Sequence, residues 1–253
     1  MKLREINEKR EWTYWVPDSV ADWDAPSHWE RERLASMEAG LKPGMVLYDI
    51  GVEHGWLSAV YGAWCGYENM VLVEPSPEFW PNIKMTWQHN MFPGPIACFQ
   101  AFAGDQRDGD PINDVWPASS DGVEVGGMAY RYMYNESHAA AVPTITIDEI
   151  ALLTRPPDAI TIDIEGAELV ALRGATHVLI EYRPLVWVSI HDDLMLRDFG
   201  HDESELHELM EQLGYKGEFI HRDHEQHWLF TPATTKRKAP AKKAPAKKAK
   251  AKK

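Results

Sequence analysis

The chain has little cysteine, no long apolar run and no dinucleotide fingerprint, and each of these absences excludes a class of protein. Its 253 residues include two cysteines, Cys65 and Cys98, whose spacing fits neither a zinc site nor a disulfide framework, so we expect two buried thiols. No apolar run of about 18 residues occurs, which argues against a membrane-spanning helix. Residues 1–8 are too polar for a signal peptide, so we expect a cytoplasmic protein without membrane contact.

Positive charge is unevenly distributed along the chain. The net charge is −13, but residues 236–253 contain ten Lys or Arg and no acid, which leaves a net −23 on the remainder. Because this Lys/Ala/Pro tail lacks large apolar side chains, residues 234–253 are predicted to be disordered. Such a tail can contact nucleic acid non-specifically through counterion release, although the acidic remainder would repel phosphates.

The composition predicts one folded domain between two extensions. A hydrophobic content of 44% and eleven tryptophans are typical of a globular protein of this length. Residues 1–44 are predicted to form a helical, aromatic segment that packs on the core, and residues 45–233 the domain itself. Alternating strand and helix patterns, followed by two strands close together, predict an α/β, doubly wound sheet that is mostly parallel with one late antiparallel strand.

The most informative segment joins two apolar runs through a glycine loop. Residues 46–50 contain Asp49, then Gly51 and Gly55 follow, and Glu74 ends the second run. This order predicts a ligand site at the carboxyl ends of two parallel strands, where the glycines permit a tight turn close to a ligand. Glu74 can accept hydrogen bonds from a ribose diol. Since the loop reads G-x-x-x-G and not G-x-G-x-x-G, we expect a nucleoside without phosphates, S-adenosylmethionine, and not a dinucleotide.

Titratable residues also follow the later strands. Asp163 and His191 each end an apolar run, and Asp105 is a weaker third example. Either residue alone has a structural interpretation, because Asp163 can cap the helix after it and His191 can be a hydrogen-bonded strand terminus. The carboxyl ends of parallel strands meet at one edge of a sheet, so we expect these side chains to lie near Glu74.

Four sequence blocks resemble the FkbM-type methyltransferases. The blocks are residues 48–55, 73–77, 146–150 and 162–168. The resemblance extends over about residues 30–195, and the Asp-Ile-Glu-Gly-Ala-Glu block that begins at Asp163 is its most specific part. The loop departs from the usual Asp-Ile-Gly-Ala-Asn at Val52 and Glu53. The resemblance implies the class I methyltransferase fold and S-adenosylmethionine-dependent methyl transfer, generally to oxygen.

The resemblance also implies roles for individual residues. Glu74 would hold the ribose hydroxyls, Gly104 and Asp105 would lie near adenine, and Asp163 would lie near the transferred methyl group. The implied cofactor-binding residues are Asp49, Gly51, Gly55, Glu74, Gly104, Asp105 and Asp163.

Methyl transfer to oxygen requires alignment of the reactants and removal of the hydroxyl proton. His191 is the expected base because the ordinary pKa of imidazole is near neutrality, and Asp163 is the second choice or the group that orients the base. A divalent metal can instead lower the pKa of the acceptor, with Asp163, Glu165, His191 and Asp192 as available ligands. The residues do not decide whether a side-chain base or a metal ion activates the acceptor hydroxyl, and we favour the metal-free route.

The methyl acceptor is expected to be a small-molecule or glycan hydroxyl. The long irregular segment 106–141 would line its pocket through Tyr130, Tyr132, Tyr134 and His138. Two alternatives are a methyltransferase for nucleic acid tethered by the basic tail and a non-catalytic nucleic-acid adapter. The Asn/Asp/Ser-Pro-Pro-aromatic block of base N-methylation is absent, and the missing third glycine disfavours a nicotinamide oxidoreductase. The sequence does not indicate the oligomeric state.

Overall fold

The fold was determined from a computed structural model. It describes residues 2–6, 12–16, 30–109, 112–114 and 142–233, and of 2–6, 12–16 and 112–114 only the course of the backbone. The basic tail and residues Tyr130, Tyr132, Tyr134 and His138 therefore lie outside the described part of the chain.

The N-terminal region contains a pair of antiparallel strands, β1 (Lys2–Ile6) and β2 (Trp12–Val16). A helical segment was predicted for residues 1–44, but the helix described there is α1 (Arg31–Gly40). Residues 12–16 are aromatic or β-branched, and such residues favour strands. The helical prediction gave this local preference too little weight.

The first half of the domain alternates strands and helices. Its elements are β3 (Leu47–Ile50), α2 (Trp56–Cys65), β4 (Met70–Val73), α3 (Trp80–His89), β5 (Ala97–Gln100), β6 (Phe102–Ala103) and β7 (Ile112–Asp114). One strand was predicted over residues 96–103, and the structure divides it into β5 and β6. The division arises because the amide of Phe102 donates to the carbonyl of Pro143, so the chain leaves the main sheet for a new partner.

The second half continues the alternation and ends in a hairpin. Its elements are β8 (Thr144–Ile145), α4 (Ile147–Leu153), β9 (Ala159–Ile162), α5 (Glu168–Arg173), α6 (Thr176–Glu181), β10 (Leu185–Ile190), α7 (Asp192–Leu194), α8 (Glu203–Gln212), β11 (Tyr215–Arg222) and β12 (Gln226–Pro232). A helix was predicted to begin at Glu165, but α5 begins at Glu168, because Glu165 and Gly166 adopt positive φ angles of 56° and 100° that turn the chain first.

The main sheet has eight strands in the order β11-β12-β10-β9-β3-β4-β5-β7. The strands β3, β4, β5, β9 and β10 run parallel, and β12 runs antiparallel to both of its neighbours. This confirms the predicted doubly wound, mostly parallel sheet with a late antiparallel strand. The antiparallel strand β7 at the other edge was not predicted.

Both faces of the sheet are covered by helices. Leu47 of β3 packs in a cluster with Trp187 and residues of α1, α2 and α3. The next residue, Tyr48, packs in a second cluster with Ile160 and residues of α4, α5, α6 and α8. A parallel sheet covered on both faces needs apolar residues at consecutive positions, which explains the apolar runs of the sequence. Cys65 and Cys98 are buried free thiols, as predicted.

Membrane insertion through a helix has no support among the described residues. None of the helices there combines the length and the apolar character that crossing a bilayer requires.

Gly51 lies at the junction of β3 with β9. Its φ is +93°, and a Cβ at this position would lie 1.8 Å from the carbonyl oxygen of Asp163. The Gly51 amide donates to the carbonyl of Val73 at 2.9 Å, and the Asp163 amide donates to the carbonyl of Ile50 at 3.0 Å. The close approach expected from the sequence is therefore made to the backbone of the neighbouring strand end, which holds the two loops of the site together.

We predict that Gly51→Ala destabilises the fold more than Gly44→Ala does. Both glycines have positive φ angles, +93° and +87°, but a Cβ at Gly44 would meet nothing within 4 Å. The control should therefore lose only the conformational cost, about 1–2 kcal/mol. Gly51→Ala should lose at least about 1 kcal/mol more, because the overlap forces β3 away from β9. Urea unfolding measures both losses, and equal losses would contradict this account.

Candidate functional site

The carboxyl ends of β3, β4, β9 and β10 meet at one edge of the sheet. Asp49, Glu74 and His191 are buried there, with exposed fractions of 4%, 2% and 8%. The side chain of Asp163 is 25% exposed and is therefore open to solvent. The structure thus brings together the strand-end residues that the sequence predicted to meet.

Glu74 fixes the glycine loop to the end of β4. Its Oε2 accepts a hydrogen bond from the amide of Glu53, and its Oε1 accepts one from the amide of Ser76, both at 2.8 Å. Burial raises the pKa of Glu74 to about 8, and the two amide hydrogen bonds oppose this rise. Each carboxylate oxygen has further acceptor capacity, so these bonds leave Glu74 able to accept from a ligand.

Asp49 connects β3 to the helix behind it. The Ser58 hydroxyl of α2 donates to Asp49 Oδ2 at 2.5 Å. Burial raises the pKa of Asp49 to about 7, while the Ser58 hydrogen bond and the charge of Arg33 lower it. Gly55, at the start of α2, has a φ of +78°, and a Cβ there would lie 3.1 Å from Ile83 Cγ1. These residues set the position of α2 against β3 and α3.

An apolar pocket opens between the strand ends. Residues of β3, β4 and β6, and of the segments that follow β3, β4, β5 and β9, contribute to it. Its lining residues are Ile50, Gly51, Val73, Pro75, Ala101, Phe102, Ala103, Ile164 and Ala167. Ser76 Oγ and Gln100 Oε1, from residues next to this lining in the chain, are buried and have no hydrogen-bond partner among the described residues. The apolar walls suit a flat heterocycle.

Gly104 and Asp105 follow the pocket residue Ala103 in the chain and are not among the lining residues. Gly104 is buried, and a Cβ there would lie 2.5 Å from Thr144 Cγ2. A Cβ at Gly174 would lie 1.9 Å from the Gly104 carbonyl oxygen, so this segment also packs directly on the end of α5. Asp105 is exposed. The structure therefore shows a packing reason for Gly104 in addition to the role that the resemblance implies.

His191 is the centre of a cluster of carboxylates. Its Nδ1 lies 2.9 Å from Glu168 Oε1, and its Nε2 lies 2.9 Å from Glu225 Oε2. The same Nε2 lies 3.8 Å from Asp163 Oδ1 and 3.6 Å from Glu165 Oε2. Both ring nitrogens are thus engaged by carboxylates from two separate parts of the chain, residues 163–168 and the turn that holds Glu225.

The protonation of His191 follows from these neighbours. Burial lowers its pKa, but the hydrogen bonds to Glu168 and Glu225 and the charges of Glu168 and Asp163 together raise the pKa well above the ordinary value. An imidazolium cannot accept a proton. This ion-paired arrangement therefore disfavours the general-base role that the sequence suggested for His191.

Arg33 of α1 is the buried cation on the other side of Asp163. Its Nη1 lies 2.6 Å from Glu30 Oε2 and 3.3 Å from Asp163 Oδ2, and its Nη2 donates to Thr161 Oγ1 at 2.6 Å. Burial and the charge of Glu225 raise the pKa of Asp163, while Arg33 and His191 lower it. Asp163 therefore lies between two cations, Arg33 and His191, and is also close to several carboxylates.

Sequence reasoning missed Arg33 and Glu225 in this cluster. Arg33 lies on a polar helix, and Glu225 lies in the Asp-His-Glu turn between β11 and β12, so both resemble ordinary surface residues in the sequence. The opposite error concerns Asp192, an available metal ligand by sequence. It pairs with Arg222 at 3.0 Å and makes no contact with His191 among the described hydrogen bonds and ion pairs.

The fold and this edge of the sheet define a doubly wound α/β protein with an apolar pocket beside a carboxylate–histidine cluster. The Methyltransferase FkbM domain matches residues 49–216, which is most of the chain. This protein therefore belongs to the FkbM family of methyltransferases, and the resemblance inferred from the sequence blocks is confirmed.

Several solved structures are similar in fold. Methyltransferase FkbM from Methylobacillus flagellatus KT is 19% identical with a TM-score of 0.49, and the match covers 74% of this chain and 43% of that one. Precorrin-6y C5,15-methyltransferase from Geobacter metallireducens GS-15 is 11% identical with a TM-score of 0.49, covering 86% and 92%. TYW2 from M. jannaschii, in complex with AdoMet, is 12% identical with a TM-score of 0.47, covering 88% and 84%. This chain spans less than half the length of the Methylobacillus protein. No curated protein matches this chain.

We predict that Asp49 makes the stability of the protein fall as pH rises from about 4 to about 7. In the unfolded chain Asp49 ionises near its ordinary pKa of 3.8, but in the folded chain burial keeps it protonated until about 7. The unfolded state therefore binds fewer protons in this window, and the free energy of unfolding decreases. In Asp49→Asn this contribution is absent, while Asn can still accept from Ser58.

The measurement is urea unfolding of the wild type and Asp49→Asn at several pH values. The variant should gain stability relative to the wild type between pH 4 and pH 7, by more than about 1.4 kcal/mol, the equivalent of one pKa unit. A difference that stays constant across this window would show that Asp49 ionises normally.

Proposed function

We propose that this protein is an S-adenosylmethionine-dependent O-methyltransferase that acts on a hydroxyl of a small molecule or glycan. The observation that carries the proposal is the position of the loop after β9. Ile164 and Ala167 line the apolar pocket, while Asp163 and Glu165 belong to the carboxylate cluster. One loop of five residues, 163–167, would thus join a place for the methyl donor to a place for a hydroxyl and its proton.

The residues of the pocket fit the proposed cofactor. Glu74 retains acceptor capacity for the ribose hydroxyls, and the apolar walls at Val73, Pro75 and Phe102 suit adenine. When bound, this cofactor supplies an electrophilic methyl group on a sulfonium centre. The chain supplies the alignment, which accounts for much of the rate in a displacement of this type.

Asp163 is the residue we assign to the acceptor proton. Its side chain and that of Glu165 are each 25% exposed, whereas those of His191 and Glu168 are 8% and 0% exposed. A hydroxyl that enters from solvent therefore meets Asp163 and Glu165 before it meets the imidazole. Arg33 and His191 lie 3.3 Å and 3.8 Å from the carboxylate oxygens of Asp163 and favour the ionised form, which is the form that accepts a proton. His191 then acts as a positioning residue for Asp163, which reverses the order of preference that the sequence suggested.

The charge around Asp163 supports an uncharged acceptor. The electrostatic potential at the place where the acceptor would bind is made more negative by the carboxylates of Glu165, Glu225 and Glu30. A phosphate-rich acceptor would be repelled there, whereas a sugar hydroxyl would not. This favours a small molecule or glycan over nucleic acid as the acceptor. Contact of residues 236–253 with nucleic acid rests on composition alone.

We predict that the full chain transfers a labelled methyl group from S-adenosylmethionine to a hydroxyl of neutral glycosides. The assay compares glycosides with single-stranded and duplex nucleic acids, and mass spectrometry locates the methyl group. Asp163→Asn should lower turnover by at least about 100-fold, because a positioned base contributes about that much. Its cofactor affinity in calorimetry should stay within about threefold, since Asp163 is assigned to the acceptor.

Asp193→Asn is the matched control, because Asp193 is an exposed carboxylate close in sequence to His191 and lies outside the cluster. It should retain wild-type turnover. A label found on a nucleic-acid base would replace the acceptor assignment. Binding of NAD without binding of S-adenosylmethionine would refute the function altogether.

A further inference from the structure

We propose that Asp163, His191 and Glu225 together bind one divalent cation at the edge of the active site. One ligand atom of each residue lies within 4.8 Å of the corresponding atoms of the other two. The three residues come from the end of β9, the end of β10 and the turn before β12, so the fold itself assembles the group.

The distances within this group suit a shared ion. His191 Nε2 lies 2.9 Å from Glu225 Oε2 and 3.8 Å from Asp163 Oδ1. Two ligand atoms that each lie about 2.1 Å from a divalent ion are about 3.0 Å apart at a right angle and about 3.4 Å apart at a tetrahedral angle. The observed separations bracket these values. A divalent ion would displace the proton that His191 Nε2 shares with Glu225, because a metal binds the neutral imidazole, and small side-chain rotations would then complete the coordination.

A buried carboxylate behind His191 provides a second, independent observation. Glu168 is fully buried, and its Oε1 lies 2.9 Å from His191 Nδ1 and accepts from the amide of Gly166 at 3.0 Å. Within the described part of the chain its Oε2 has no hydrogen-bond partner. A carboxylate that accepts from one histidine nitrogen directs the other nitrogen to a metal, which is the usual support of histidine ligands. Here it directs Nε2 to Asp163 and Glu225.

The negative charge around Asp163, His191 and Glu225 also favours the binding of a cation. Six carboxylates converge on this region, and the arginine that contacts them is Arg33. Buried carboxylates are costly unless cations compensate them. His224 contributes to this compensation, since its Nε2 lies 2.7 Å from Glu225 Oε2. The converging carboxylates belong to Glu30, Asp163, Glu165, Glu168, Asp223 and Glu225.

The ligand set indicates the kind of ion. One imidazole with two carboxylates suits a first-row divalent ion such as Mn²⁺ or Zn²⁺, whereas Ca²⁺ prefers oxygen ligands throughout. Because Asp163 is followed directly by the pocket residue Ile164, an ion here would lie where the acceptor hydroxyl is expected. It would lower the pKa of that hydroxyl and hold it in place. This catalytic role rests on the proposed function, but the binding of the ion does not.

The test is calorimetric titration of the full, tag-free chain, treated with a chelator and dialysed, with Mn²⁺ and separately with Zn²⁺. We expect one ion per chain for at least one of the two metals. Glu225→Gln should weaken that binding at least tenfold. Glu218→Gln, an isosteric change of an exposed carboxylate on β11 of the same hairpin, should leave the binding unchanged.

Asp163→Asn serves as a second variant if Glu225→Gln does not fold, as judged by circular dichroism, and it should also weaken binding at least tenfold. The proposal is refuted if the wild type binds neither ion at one per chain, or if the folded variants bind as tightly as the wild type. Cofactor binding and methyl transfer are measured on the same chelator-treated chain. Their persistence without metal would refute the catalytic role of the ion and leave the proposed function intact.

Discussion

The backbone contact between Gly51 and Asp163 determines the geometry of the whole site. A side chain at Gly51 would overlap the Asp163 carbonyl oxygen, so only glycine lets the ends of β3 and β9 come this close. Glu74 then fixes the loop after Gly51 by accepting from the amide of Glu53, while its other oxygen accepts from the amide of Ser76. As a result, the apolar pocket and the carboxylate cluster share one wall, the loop that begins at Asp163. A methyl donor on one side and a hydroxyl on the other would be neighbours without any movement of the sheet.

The second constraint is the negative charge of the carboxyl groups at the site, which the fold compensates with few cations. Burial raises the pKa of Asp49 to about 7 and of Glu74 to about 8, so the strand ends hold acids that are easily protonated. The cluster around His191 is more acidic still, and the imidazole is held charged between carboxylates. Such an arrangement suits a cationic methyl donor and, as we infer, a divalent cation. It is a poor surface for a polyanion, which sets the globular part of this protein apart from its basic tail.

Local sequence patterns predict much of the fold but only part of the site. Consecutive apolar residues at 46–50 and 159–164 predict buried parallel strands, and strand ends must share an edge, so the meeting of Asp163 with His191 could be predicted. The hydrogen bonds that Glu74 accepts from the amides of Glu53 and Ser76 could not be predicted, because the first of them depends on the positive φ of Glu53. Glu225 reaches the cluster through a hairpin turn far along the chain, and no local pattern reports such a contact. The strand β2 was missed because a helical pattern nearby was extended too far.

The most direct test of the account is whether Glu74 recognises a ribose diol. Calorimetry would compare S-adenosylhomocysteine with its 2′,3′-dideoxy analogue on the wild type and on Glu74→Ala. If the Glu74 carboxyl group accepts from the diol, removal of the diol should weaken binding to the wild type about tenfold, since it removes two hydrogen bonds of about 0.5–1.5 kcal/mol each. The same removal should change binding to Glu74→Ala by less than about twofold. An equal loss in both proteins would show that Glu74 serves the loop alone and that the cofactor site lies elsewhere.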